Sequence, residues 1–169
     1  MGCPFEITLV GAFSQWESTE AVFLERAAPY LADGRIRLAG RLPREGVRAE
    51  FDRHDFYLLL SEFEGLPLSV VEAMARGCVP VCASMRSGID EIIRDGINGF
   101  IMTNRNYDEW AARITAAWKE RKKLEGMARQ ARSVVRAKFS VEHVARRFDK
   151  VLRGDRKSTR LNSSHGYIS

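Results

Sequence analysis

Two carboxylates and the turn between them set the chemistry to consider. The stretch EFEGLPLSVVEAMA, Glu62 to Ala75, places Glu64 ahead of a Gly65-Leu66-Pro67 turn and Glu72 after seven intervening residues. A carboxylate accepts two hydrogen bonds at once, which matches the neighbouring hydroxyls of a sugar or a ribose. If a helix starts near Pro67, the amides of Leu66, Leu68 and Ser69 lack intrahelical partners and present partial positive charge to an anion. Gly65 lets a ligand approach the backbone closely. Two carboxylates around such a helix start suit a ligand with two polyols separated by phosphates, the layout of a nucleotide sugar. The same spacing also permits a plainer arrangement. Val71, Met74, Ala75 and Cys78 form a stripe to bury, and Ser69, Glu72 and Arg76 share the opposite one. Glu72 and Arg76 would then be an i, i+4 surface pair worth a few tenths of a kcal/mol. Spacing alone leaves both arrangements open.

The elements that must hold these residues alternate along the chain. Glu6 to Phe13 reads as a strand ending at Gly11, followed by a helix over STEAVFLERAAPYL with Ser18 or Thr19 as its N-cap. RIRLAG, Arg35 to Gly40, is a second strand, and PREGVRAEF a short helix opened by Pro43. DFYLLLS, Asp55 to Ser61, is an uninterrupted apolar run, as in a parallel strand with helices over both faces. PLSVVEAMARG is a helix with Pro67 near its first position and Gly77 just past its end. CVPVCAS is a strand, GIDEIIRDG a short helix and GFIM a further strand. Helices over Tyr107 to Lys119, Lys122 to Lys138 and Val141 to Leu152 follow, the last capped by Ser140. Strict alternation predicts an α/β fold, a doubly wound parallel sheet in one layered domain. Ligands of such sheets bind beyond the carboxyl ends of the strands. Chemistry is therefore expected in the loops after Gly11, Gly40, Ser61 and Ser84.

A hydrophobic content of 45% with 29% charged residues is that of a globular chain with a real core. No apolar run approaches the roughly 20 residues of a membrane helix, and no signal pattern opens the chain, so a cytoplasmic location is expected. Cys3, Cys78 and Cys82 lack metal or disulfide spacing, and the last two read as small buried hydrophobes. From Asp155 the apolar periodicity stops. DRKSTRLNSSH is the translation of a common short-read sequencing adapter, so residues 1–154 are expected to be the domain and residues 155–169 a non-native tail. His165 thereby leaves any catalytic shortlist. Without the tail, 24 basic residues face 21 acidic ones, a net of +3 that is too mild and too scattered to imply nucleic acid. The run Lys119, Arg121, Lys122 and Lys123 reads as a solvated helix end.

SEFEGLPLSVVEAMARGCVPVCASMRSGIDEIIRDGINGFIM, Ser61 to Met102, resembles the donor-binding segment of family-4 retaining glycosyltransferases of the GT-B fold. The shared positions are Glu64, Gly65, Pro67, Glu72, Ala73-Met74-Ala75, Gly77, Pro80, Val81, Gly88, Glu91, Asp95, Gly96, Asn98 and Gly99. Weaker similarity in LVGAF and RLAGRLPREGV extends coverage to about Phe148. The resemblance implies a Rossmann-like, incomplete C-terminal domain of a GT-B enzyme. It assigns Glu64 to the reacting sugar as the catalytic-site carboxylate. Gly65, Leu66, Pro67, Leu68 and Ser69 would line the donor, and amides among them would support sugar and phosphates. Glu72 would hold the ribose diol, and main-chain groups at Arg41 and Leu42 would face the base. Arg86, Ser87 and Gly88 would lie on the phosphate side. Ser87 stands where the family has a second glycine, and Asp90 where proline or arginine is common, which weakens the assignment of that turn.

The implied reaction moves a sugar, of hexosyl type, from a nucleotide-diphosphate donor to a hydroxyl of a glycan, lipid or small-molecule acceptor. No cofactor and no metal is implied. The first strand of the donor half, its basic phosphate-binding segment and the N-terminal acceptor domain are expected to lie outside this chain. The fragment alone is expected to be inactive, and any membrane contact is assigned to that missing half. A GT-B-like nucleotide-sugar epimerase and a non-catalytic nucleotide-sugar-binding module are the alternatives.

Overall fold

A computed structural model describes residues 4–13, 17–61, 63–85 and 88–153. Among the described residues, strands and helices alternate as far as β4 and three helices close the order: β1 (Ile7–Val10), α1 (Glu17–Ala32), β2 (Ile36–Gly40), α2 (Arg44–Arg53), β3 (Phe56–Leu59), α3 (Leu68–Arg76), β4 (Val79–Ala83), β5 (Phe100–Met102), α4 (Tyr107–Lys119), α5 (Arg121–Phe139) and α6 (Val141–Leu152). A single 3₁₀ turn, Gly88–Glu91, stands where a short helix over GIDEIIRDG was expected. The predicted α/β class with parallel strands is present.

Every strand pairing is parallel, but the pairings fall into two groups. One sheet is β1-β2 and the other β3-β4-β5, so β1 and β3 each keep one unpaired edge among the described residues.

The core is built around β4. Val79, Val81, Phe100 and Met102 pack on one side with Trp110 and Ala117 of α4 and Leu124 and Met127 of α5. Cys82 and Leu59 pack on the other with Val70, Val71 and Met74 of α3, Ile89, Ile92 and the middle of α5. Helices therefore cover both faces of β4, as its apolar run requires. β3 departs from the expectation drawn from the same kind of run. Leu58 is 39% exposed and Leu60, just past the strand, 57%. Among the described residues only one edge of β3 has a neighbouring strand.

Local expectations are corrected at several points. α1 begins at Glu17, so Ser18 and Thr19 fall in its first turn instead of capping it. The buried stripe of α3 is Val70, Val71, Ala73 and Met74, while Ala75 is exposed. Pro43 and Pro67 occupy the N-cap positions of α2 and α3. Ser140 does cap α6, its hydroxyl accepting from the His143 amide at 3.2 Å. Arg121 and Lys123 are exposed at the α4–α5 corner, paired with Asp55 and Glu120. Among the described residues no helix is long and apolar enough to cross a membrane.

Candidate functional site

Glu64 lies in the loop that leaves β3, half-buried, and Gly65 and Leu66 follow it into the open. The buried Pro67 then fixes the entry to α3. Its carbonyl accepts from Val70 at 3.0 Å and Val71 at 3.4 Å, and no side chain caps the helix. The amides of Leu68 and Ser69, one and two residues into α3, have no intrahelical acceptor by helix geometry. The uncapped start expected from the sequence is therefore in place. The Gly88 amide donates to the Gly65 carbonyl at 3.4 Å, which ties the turn after β4 to the loop after β3. Gly88 also packs under Leu66, since an added Cβ would meet Leu66 Cδ1 at 3.4 Å. Arg86 and Ser87 lie outside the described residues.

Glu72 is exposed on the face of α3 that looks toward α2. Its carboxylate is 4.0 Å from the Arg44 guanidinium, at the first turn of α2. Arg44 follows directly on Arg41, Leu42 and Pro43, so the loop after β2 leads to the neighbourhood of Glu72. An open cleft between α2 and α3 is lined by Arg44, Arg48, Phe51, Glu72, Ala75 and Arg76. Arg41 is exposed and Leu42 half-buried. The i, i+4 partner suggested by spacing goes elsewhere: Arg76 pairs with Asp52 of α2 at 2.8 Å. A long-range carboxylate on the neighbouring helix outcompetes the local one, and among the described residues Glu72 keeps only a distant, solvated cation.

Tyr57 of β3 was not singled out from the sequence. Burial pushes its phenol above the usual range, hydrogen bonding to Ser69 opposes the shift, and the charges of Glu64 and Glu72 add to it. Tyr57 packs, partly buried, against the cluster that holds Val70, Val71 and Met74 of α3. Its ring packs edge-on against Phe51, with centroids 5.6 Å apart. The one available signal was a hydroxyl inside an otherwise apolar strand, since a buried tyrosine oxygen needs a partner.

The residues matched downstream form the frame behind this loop. Asn98 is 1% exposed, and its side chain accepts from the Arg94 amide at 2.6 Å and donates to the Ile92 carbonyl at 3.0 Å. Asp95 accepts from the Ile101 amide and holds Arg113 with both oxygens at 3.0 Å. A second open cleft lies past the ends of β4 and β5, lined by Ser84, Thr103, Asn104, Arg105, Tyr107 and Trp110 among others. Of these only the loop at Ser84 was expected. The described residues hold no cluster of His, Cys, Asp or Glu arranged for a metal ion.

A family model described as glycosyl transferases group 1 matches residues 4–134. A putative colanic acid biosynthesis glycosyltransferase, WcaL of Salmonella typhimurium, is 28% identical over 89% of this chain and 38% of its own length. The amylovoran biosynthesis glycosyltransferase AmsK of Erwinia amylovora is 29% identical over 86% of this chain and 36% of its own. The chain thus spans under two fifths of the length of these relatives. The fold is shared with Anabaena HepE, whose structure was solved in complex with UDP-glucose. The TM-score is 0.76 at 21% identity, over 88% of this chain and 41% of that one.

Proposed function

The chain belongs to the glycosyl transferases group 1 family, and from that premise we propose that it is the donor-binding part of a retaining glycosyltransferase that transfers a sugar, of hexosyl type, from a nucleotide diphosphate to an acceptor hydroxyl. The observation that carries this reading is the uncapped start of α3, with Glu64 in the loop just before it and Glu72 exposed on the helix itself. Glu64, beside Gly65 at the end of β3, orients hydroxyls of the donor sugar near the reacting carbon. The amides of Leu68 and Ser69, with that of Leu66 nearby, face the diphosphate. Charge develops on that leaving group as the glycosidic bond breaks, and fixed donors there lower the barrier most. Glu72 receives the ribose diol, and the loop at Arg41 and Leu42 receives the base. The carboxylates orient the donor and exchange no proton with it, in contrast to a hydrolase pair. The relatives named for colanic acid and amylovoran synthesis support a glycosyl acceptor, and the HepE complex supports a nucleotide-sugar donor. We place the reaction in the cytoplasm, without metal or cofactor.

Glu72→Gln separates this reading from a glycosidase. It replaces a charged acceptor, whose hydrogen bond is worth about 1.5–3 kcal/mol, with a neutral one worth about 0.5–1.5 kcal/mol. UDP or GDP, whichever the unsubstituted chain binds in calorimetry, is expected to bind about tenfold or more weakly to the variant. Equal affinity in both proteins would remove Glu72 from the site.

A further inference from the structure

α2 follows directly on the loop after β2, and it is held unevenly along its length. None of its residues is buried. Its C-terminal end is fastened several times over. Phe51 meets Tyr57 edge-on, with ring centroids 5.6 Å apart. The Phe51 and His54 carbonyls accept from the Cys78 thiol at 3.1 and 3.3 Å. Asp52 pairs with Arg76 of α3 at 2.8 Å, and Glu50 pairs with Arg37 of β2. The first turn is different. There the only charge pair to another element, among the described residues, joins Arg44 to Glu72 of α3 at 4.0 Å. At that separation the guanidinium is beyond hydrogen-bond distance of the carboxylate. It attracts Glu72 by charge and leaves both carboxylate oxygens free to accept from a ligand. The Arg76–Asp52 pair crosses between the same two helices with the signs reversed, α3 supplying the cation. A slide of α2 that carried Arg44 away from Glu72 and toward Arg76 would set cation against cation.

We propose that Arg44 is a positioning residue of the nucleotide site: through Glu72 it fixes the first turn of α2, and with it the loop at Arg41 and Leu42, against α3. Base and ribose are then received at a set spacing, and Glu72 is held facing the diol. The inference rests on the reading of Glu72 as the ribose carboxylate and of that loop as the base side. Because the charge acts across 4.0 Å without a fork of parallel hydrogen bonds, a lysine should serve in its place. The pair is solvated, so its effect on affinity is a few-fold and not more. Direct contact between Arg44 and the nucleotide would be a different role, since it would not pass through Glu72.

A double-mutant cycle read by calorimetry separates the two. UDP and GDP are titrated into the full chain, Arg44→Ala, Glu72→Gln and the double variant. Arg44→Ala is expected to weaken binding about threefold in the parent, and to change nothing further once residue 72 is glutamine. Arg44→Lys should recover most of the loss, and the difference between the parent and Arg44→Ala should close as salt is raised. All variants should melt as the parent does, since both side chains are exposed. An equal loss in both backgrounds would place Arg44 on the nucleotide itself. Tighter binding in Arg44→Ala would make it a competitor of the ribose for the carboxylate. Unchanged binding in Arg44→Ala, beside a clear loss in Glu72→Gln, would remove it from the site, and a lowered thermal midpoint would assign it to the fold. Each of these overturns the proposal and leaves Glu72 where it is. Equal affinity in Glu72→Gln, or binding of neither nucleotide, would overturn the reading beneath the proposal and the proposal with it.

Discussion

Cys78 and Cys82 sit at opposite ends of β4's approach to the core, both fully buried. The Cys78 thiol donates to the Phe51 and His54 carbonyls at 3.1 and 3.3 Å, so it fastens the end of α2 to the start of β4. Burial pushes Cys78 from 9.0 to about 11 and Cys82 to about 12. In the unfolded chain both thiols ionise near the ordinary value, while the folded chain holds its protons. Stability is therefore unaffected below pH 9 and falls as pH rises from 9 toward 12, because the folded state binds more protons there. Melting temperature measured across that window is expected to drop, and Cys82→Ala should flatten the drop. Rapid reaction of the native thiols with a disulfide reagent at pH 8 would contradict this burial. The sequence showed these cysteines as hydrophobes because their spacing excluded everything else. It hid Tyr57 for the matching reason: an aromatic in an apolar strand looks like core.

Two glycines distinguish the elements that frame the site from the loop that forms it. Gly99, at the entry to β5, lies against Pro80 in the middle of β4. A Cβ there would stand 2.6 Å from the proline ring and 2.9 Å from its carbonyl oxygen. Gly99→Ala should cost about 1–3 kcal/mol by overpacking, read as a lower urea midpoint. Gly65 has nothing within 4 Å of the same added atom. Gly65→Ala should leave the urea midpoint within about 0.5 kcal/mol of the parent while weakening nucleotide binding. The opposite pattern would mean that Gly65 serves the fold and not a ligand. At this scale the alternation of strands and helices was legible, because period and punctuation are local. Coverage of a strand was not. The apolar runs of β3 and β4 read alike, yet only β4 has strands on both sides and helices over both faces. The partner of Arg76 was equally hidden, since Asp52 is brought to it by the packing of α2 on α3 and not by any spacing within α3.

For the whole molecule, the division of the strands into β1-β2 and β3-β4-β5 and the span of two fifths or less of its relatives point the same way. We propose that the complete polypeptide supplies a parallel strand between β1 and β3 and a second half that closes over the donor. Its product should show slow hydrogen exchange at the amides of β1 and β3 that face away from β2 and β4, and should transfer sugar. Residues 1–154 alone should show fast exchange there and no turnover. Transfer by the short chain would overturn the division of labour, and unchanged exchange in the long one would leave the division of the strands unexplained. The open edges carry a practical consequence as well. An unpaired parallel ladder flanked by exposed leucines, as at Leu58 and Leu60, accepts any extended segment that presents itself, including one from a neighbouring copy. Concentrated preparations of this chain should therefore coagulate into β-rich aggregates, and solubility becomes the first sign of whether the gap has been filled.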